Sequence, residues 1–168
     1  MRNNLDITAY LVLGPENTAG RPVGDVVEAA LVAGFTCVQV RSKECSARQL
    51  MEVAREAAGA IERVGAAQRV ALLVDDRLDV ALAARAAGVK VDGVHVGQSD
   101  VPVEVCRRYL GEDGVVGLSA RTDEMLEYVR TVDTGCVDYL GAGPLHETAT
   151  KPDCGMDAAG NVITRSLA

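Results

Sequence analysis

The chain has 168 residues, enough for one domain with a real core, and its 17 basic and 24 acidic residues give a net charge of −7. That balance argues against nucleic acid or an anionic membrane as partner, because both demand an electropositive face, and it requires any anionic ligand to be held by local cations. One Phe, four Tyr and no Trp leave no base-stacking platform. No apolar run is long enough to span a bilayer, and the first six residues lack the apolar stretch of a secretory signal. Five cysteines (Cys37, Cys45, Cys106, Cys136, Cys154) form no Cys-x-x-Cys pair and have no His at metal spacing. They read as buried or incidental thiols in a reducing compartment, so a single cytoplasmic domain over residues 1–168 is expected.

In chain order, residues 7–13 predict a first strand, followed by a Gly/Pro/Asn/Thr loop and a helix over 22–33. Pro22 suits the first helical turn and Gly34 ends it. Phe35-Thr36-Cys37-Val38 opens a second strand. Ser46-Ala47-Arg48-Gln49 is a capping box for a long helix, whose stripe Leu50, Val53, Ala54, Ala57, Ala58 and Ile61 follows the i, i+3, i+4 rhythm. Residues 70–74 form an unbroken apolar run, hence a strand covered on both faces. A helix over 78–87 stops at Gly88. Strands over 93–96 and 115–118 flank a helix over 103–110. Thr122 caps a fifth helix whose first turn carries Asp123 and Glu124, and 137–140 is a sixth strand.

Six strands with five intervening helices indicate a parallel α/β sheet. Both an open doubly wound sheet and a (β/α) barrel fit. Polar residues follow the second strand (Arg41, Lys43), the third (Asp75, Asp76), the fourth (Gln98, Asp100), the fifth (Ser119) and the sixth (Thr148, Thr150, Lys151). In an open sheet only strands beside a switch point feed the site, whereas a closed barrel brings every strand end to one mouth. The distribution therefore favours the barrel.

Gln39-Val40-Arg41-Ser42-Lys43 stands where the second strand runs out. Alternation along a strand sends Gln39, Arg41 and Lys43 to one side at intervals of ~7 Å, an array of an amide, a guanidinium and an ammonium suited to a diphosphate. Each motif also has a plainer reading. The array is also a solvated strand end, Asp75-Asp76-Arg77 a helix cap, and Gly97-Gln98-Ser99-Asp100 an ordinary turn. His95, inside a strand, reads as a structural histidine, and His146 as a loop contact with substrate at most.

Taken together, QVRSK, VDDR, DGVHVGQSD, GLS and GPLHETATK resemble the thiamine phosphate synthase family over residues 9–151. The resemblance implies a (β/α)8 barrel of TIM-barrel type that joins a hydroxymethylpyrimidine diphosphate to a thiazole phosphate, releasing pyrophosphate with Mg²⁺. It implies that Gln39, Arg41 and Lys43 hold the diphosphate and pyrimidine end and that Asp76 and Asp100 are metal ligands. It further implies that Ser119 donates a hydrogen bond near the leaving group, and that Thr148, Thr150 and Lys151 close over the phosphates, with Lys151 adding a cation. No His or Asp adjacent to Ser119 in sequence suggests a nucleophilic triad. Asp75, counted with the substrate-binding residues, departs from the Asn usual in the family. A second carboxylate there must join the metal shell, bind a proton or face away.

The chain stops at Ala168 after about six βα units, where residues 161–167 read as the start of a sixth helix. A (β/α)8 barrel takes at least ~200 residues, and the loops after its last two strands supply a phosphate site. The expectation is a C-terminally truncated barrel with little synthase activity and with open edges that a homo-oligomer or a fused C-terminal domain would cover. Two other functions remain. One is a thiazole tautomerase, whose group resembles the synthase but has a His soon after the strand-five serine, where this chain has Ala120-Arg121. The other is a non-catalytic module that binds the pyrimidine diphosphate.

Overall fold

A computed structural model of the chain describes residues 1–120 and 123–142. Eleven regular elements alternate: β1 (Tyr10–Leu13), α1 (Val23–Val32), β2 (Cys37–Val40), α2 (Ala47–Arg63), β3 (Ala71–Asp75), α3 (Leu78–Ala86), β4 (Gly93–Val96), α4 (Val103–Leu110), β5 (Val115–Ser119), α5 (Asp123–Thr131) and β6 (Tyr139–Gly141). The six strands pair in parallel in the order β1-β2-β3-β4-β5-β6. The order never reverses, so these strands contain no topological switch point of the doubly wound kind.

The sheet curls. Five inter-strand steps of ~4.8 Å would place β1 about 24 Å from β6 in a flat sheet. Instead the hydroxyls of Tyr10 and Tyr139 lie 2.7 Å apart, with ring centroids separated by 5.8 Å. Side-chain alternation then divides the strands between two faces. Leu13, Val38, Val40, Leu72, Val74, Val94, Val96, Val116 and Leu118 face the helices and form one large buried cluster with them. Tyr10, Cys37, Ala71, Leu73, Val115 and Tyr139 form a smaller cluster on the concave side. Two glycines on that side keep it passable. A Cβ on Gly93 would strike the Val115 carbonyl, and one on Gly117 would land among the Tyr139 ring and the His95 imidazole.

Helix α2 forms as its sequence directs. Gln49 N–H donates to Ser46 Oγ at 3.4 Å and Ser46 N–H to Gln49 Oε1 at 2.9 Å, a complete capping box. Its apolar stripe, from Leu50 to Ile61, is buried.

Some boundaries differ from expectation. β1 begins at Tyr10 rather than residue 7, because Thr8 N–H donates to Asp6 Oδ1 at 2.9 Å and turns the chain there. β3 and β5 each run one residue further, to Asp75 and Ser119, so that both polar residues end a strand. β6 begins at Tyr139 instead of residue 137.

The residue before each even-numbered strand clasps the odd strand behind it. Ala9 N–H donates to Thr36 Oγ1 at 3.1 Å while Thr36 N–H donates to Ala9 O at 2.9 Å. Asp92 holds Leu72 in the same reciprocal way, both bonds 2.7 Å, and Asp138 holds Val116 at 2.7 and 2.8 Å. These clasps lie at the N-terminal ends of the strands, opposite the polar residues. The described cysteines are free. Cys37 and Cys106 are buried, Cys45 and Cys136 partly so, and burial pushes the Cys37 thiol up to about 12 and Cys106 to about 11. Among the described residues no helix is long and apolar enough to cross a membrane.

Candidate active site

The C-terminal ends of β2, β3, β4 and β5 bring their polar residues into one connected group. Arg41 N–H donates to Leu13 O at 2.8 Å, extending the β1–β2 ladder by one residue, so Arg41 emerges on the same side as Gln39. Both reach Asp75, which is buried. Gln39 Nε2 donates to Asp75 Oδ1 at 3.2 Å, and Arg41 Nε stands 3.1 Å from Asp75 Oδ2. The Arg41 pairing is close but poorly aimed, leaving its buried Nε without a hydrogen-bond partner. Asp75 therefore meets Gln39 and Arg41 from the strand beside it and also lies next to Asp76.

Lys43, on the loop after β2, donates to Asp76 Oδ2. Asp76 has a φ of 57°, an unusual left-handed conformation for a residue other than glycine. It is held there by its N–H, which donates to His95 O at 2.7 Å. The N-cap of α3 is Arg77, with no side-chain capping bond, so neither aspartate serves as the helix cap that a plainer reading of Asp75-Asp76-Arg77 proposes. Asp100 Oδ2 accepts from Gly97 N–H at 2.7 Å, closing the turn after β4, and its carboxyl stands beside that of Asp76.

The charges respond accordingly. Burial opposes the Lys43 ammonium, but Asp76 outweighs it and Lys43 titrates above the ordinary lysine value. Burial likewise raises Asp76, yet Lys43 and the neighbouring Asp100 bring it below the usual aspartate value. Asp100 is raised, first by burial and then by the neighbouring Asp76. Two carboxylates this close favour a proton or a cation between them. Among the described residues no group of three or more His, Cys, Asp or Glu forms a metal cluster. A pair of hard oxygen donors open to a substrate's phosphates is nevertheless what Mg²⁺ uses, and Asp76 with Asp100 fits it. The pair borders a groove of about 670 Å³ that runs between α3 and α4 to Tyr109.

Ser119 joins the group through β4. Gln98 Nε2 donates to Ser119 O at 2.7 Å. Ser119 Oγ lies 3.1 Å from His95 Nε2, and His95 Nδ1 lies 2.9 Å from the Tyr139 hydroxyl. Sequence adjacency hid this partner, since His95 precedes Ser119 by 24 positions. One signal was present: His95 falls between Val94 and Val96, which face the helices, so it must face the concave side with Ser119. Thr148, Thr150, Lys151 and His146 lie outside the described residues, as do Thr122 and Cys154.

A family model described as thiamine monophosphate synthase matches residues 9–165. The chain belongs to the thiamine monophosphate synthase family. It is 44% identical over 149 residues to a thiamine-phosphate synthase of Chloroflexus aurantiacus, covering 89% of this chain and 63% of that protein. It is 40% identical over 146 residues to one of Natronomonas pharaonis, covering 87% and 63%. A solved thiamine phosphate pyrophosphorylase from Pyrococcus furiosus superposes with a TM-score of 0.65 at 28% identity, covering 88% of this chain and 64% of that one. The chain therefore spans a little under two thirds of the length of these relatives.

Proposed function

We propose that this chain provides the pyrimidine-diphosphate half of a thiamine phosphate synthase site, within a (β/α)8 barrel, and that the reaction is a dissociative transfer of the pyrimidine methylene. The carbon–oxygen bond to diphosphate breaks, its electron pair leaving with pyrophosphate. The lone pair of the thiazole nitrogen then forms the new carbon–nitrogen bond. That nitrogen carries no proton to remove, so the site must stabilise a departing anion more than it must supply a base.

Gln39, Arg41 and Lys43 receive the diphosphate. The buried Nε of Arg41, paired with Asp75 but not hydrogen-bonded to it, supports this, since a buried donor without a hydrogen bond costs about 1–3 kcal/mol and an anion would satisfy it. Lys43 exchanges Asp76 for a phosphate oxygen. Ser119 donates a hydrogen bond to the leaving group, and Lys151, with Thr148 and Thr150, takes the closing role that the family resemblance assigns. Mg²⁺ held by Asp76 and Asp100 would neutralise charge on the diphosphate.

The observation that carries the reading is the continuous set of contacts Gln39–Asp75–Arg41 and Lys43–Asp76–Asp100, drawn from three strand ends onto one rim. Retention of both aspartates, with Ala120 in place of a histidine after Ser119, favours the synthase over the tautomerase. Calorimetric titration with the pyrimidine diphosphate should show Mg²⁺-dependent binding. Lys43→Ala and Asp76→Ala should each weaken that binding, and turnover of the intact enzyme, by more than about tenfold, or ~1.4 kcal/mol. Near-unchanged values for both variants would remove the assignment.

A further inference from the structure

A line of hydrogen bonds crosses the concave face from the first strand to the fifth: Tyr10 hydroxyl to Tyr139 hydroxyl at 2.7 Å, Tyr139 to His95 Nδ1 at 2.9 Å, His95 Nε2 to Ser119 Oγ at 3.1 Å. A neutral imidazole has one donor and one acceptor nitrogen, and here a hydroxyl stands at each. The tautomer of His95 therefore sets the direction of the whole line.

We infer that the line runs one way. Tyr10 donates to Tyr139, Tyr139 donates to His95 Nδ1, and His95 Nε2–H donates to Ser119, which leaves the Ser119 proton free to point outward. Resting on the synthase reading, that proton meets the oxygen of the departing diphosphate, and Tyr10 and Tyr139 are positioning residues that act through His95.

Three points bear on this direction: the first and third favour it, and the second is a condition that it meets. The first is where the line starts. Run in reverse, it would end with the Tyr10 proton directed at the apolar concave cluster, where Cys37, Ala71, Leu73, Val115 and Leu5 pack. The described neighbour there able to accept it is the Cys37 sulfur, a weak acceptor. A buried donor left without a partner costs more than an acceptor lone pair left unused. In the forward direction the Cys37 thiol, protonated at neutral pH, can itself donate to Tyr10.

The second is that both phenols are available as donors. Burial raises Tyr10 and Tyr139 well above the ordinary tyrosine value, so each keeps its proton. The third is the demand at the other end. In reverse, Ser119 would spend its only proton on His95 and turn lone pairs toward an anion. The line also has a built passage. Gly117 lacks the Cβ that would separate Tyr139 from His95, and Gln98 pins the Ser119 backbone carbonyl from the far side.

The test reads the tautomer directly. Long-range proton–nitrogen correlation spectra of the ¹⁵N-histidine-labelled chain, with the second imidazole identified through His146→Gln, should show His95 neutral and protonated on Nε2 near neutral pH. Tyr139→Phe removes the donor to Nδ1 and should give a mixture of the two tautomers. An Nδ1–H tautomer or a doubly protonated ring in the unsubstituted chain would overturn the inference, and that measurement decides even if Tyr139→Phe fails to fold. In the intact enzyme, Tyr139→Phe should lower kcat by about 3- to 10-fold with KM within about twofold, and should add nothing in a Ser119→Ala background. A raised KM with unchanged kcat would instead give Tyr139 a binding role and defeat the positioning claim. Should the chain bind no pyrimidine diphosphate, the synthase reading falls while the tautomer result stands or falls separately.

Discussion

Asp75 sets the resting state of the rim proposed to hold the diphosphate. Its two oxygens engage Gln39 and face Arg41, the two groups expected to grip the substrate, so the ligand must compete with a buried carboxylate for its own guanidinium. Asparagine at this position would keep an acceptor for Gln39 and remove the charge that opposes an incoming anion. Asp75→Asn should therefore tighten pyrimidine-diphosphate binding by about 3- to 10-fold, or ~0.7–1.4 kcal/mol, as read by calorimetry. Weaker binding would mean that Asp75 earns its place by holding Arg41 in position. The residue types were legible in the sequence and their pairing was not. Strand alternation places Gln39 and Arg41 on one side, but that Asp75 meets them depends on the packing of β2 against β3. The same limit hid His95, Tyr139 and Tyr10, whose contacts join positions 24 to 129 residues apart.

At the scale of elements, the chain builds its sheet in pairs of strands, each closed by a clasp at the N-terminal end. The third clasp is the most heavily loaded. Asp138 accepts from Val116 N–H and from Arg107 at 2.7 Å, and from Arg2 Nε at 2.5 Å, while Arg107 is itself buried and also donates to the carbonyls of Gly111 and Gly114. Removing one partner of a buried ion pair strands the other. Asp138→Ala should therefore destabilise the chain by about 3–5 kcal/mol, measured by urea denaturation. A loss below about 1 kcal/mol would show that water or rearrangement satisfies Arg107. Helix and strand order were legible because apolar periodicity and capping chemistry are local. The starts of the first and last strands were not, because the Asp6–Thr8 turn and the Asp138 clasp replace ladder bonds with side-chain bonds that periodicity does not register.

The described residues form a curled parallel sheet backed by helices, whose rim carries the candidate site and whose first and last described strands each have only one described partner in the sheet. Val12 on β1 and Leu140 on β6 are 43% and 45% exposed. Exposed apolar edges pair with other chains, and contact between Tyr10 and Tyr139 across the interior does not cover them. Continuing the polypeptide through two further βα units would pair both edges and, in barrels of this type, supply the phosphate loops after the last strands. Stability and turnover should then rise together, because in barrels of this type the loops after the last strands complete the site. Relative to the 168-residue polypeptide, the extended chain should melt more than about 5 °C higher, lose concentration-dependent association in sedimentation, and gain turnover with both substrates. Monodisperse behaviour and full turnover from the 168-residue chain would show that the curled six-strand sheet manages its edges and completes its site without those units.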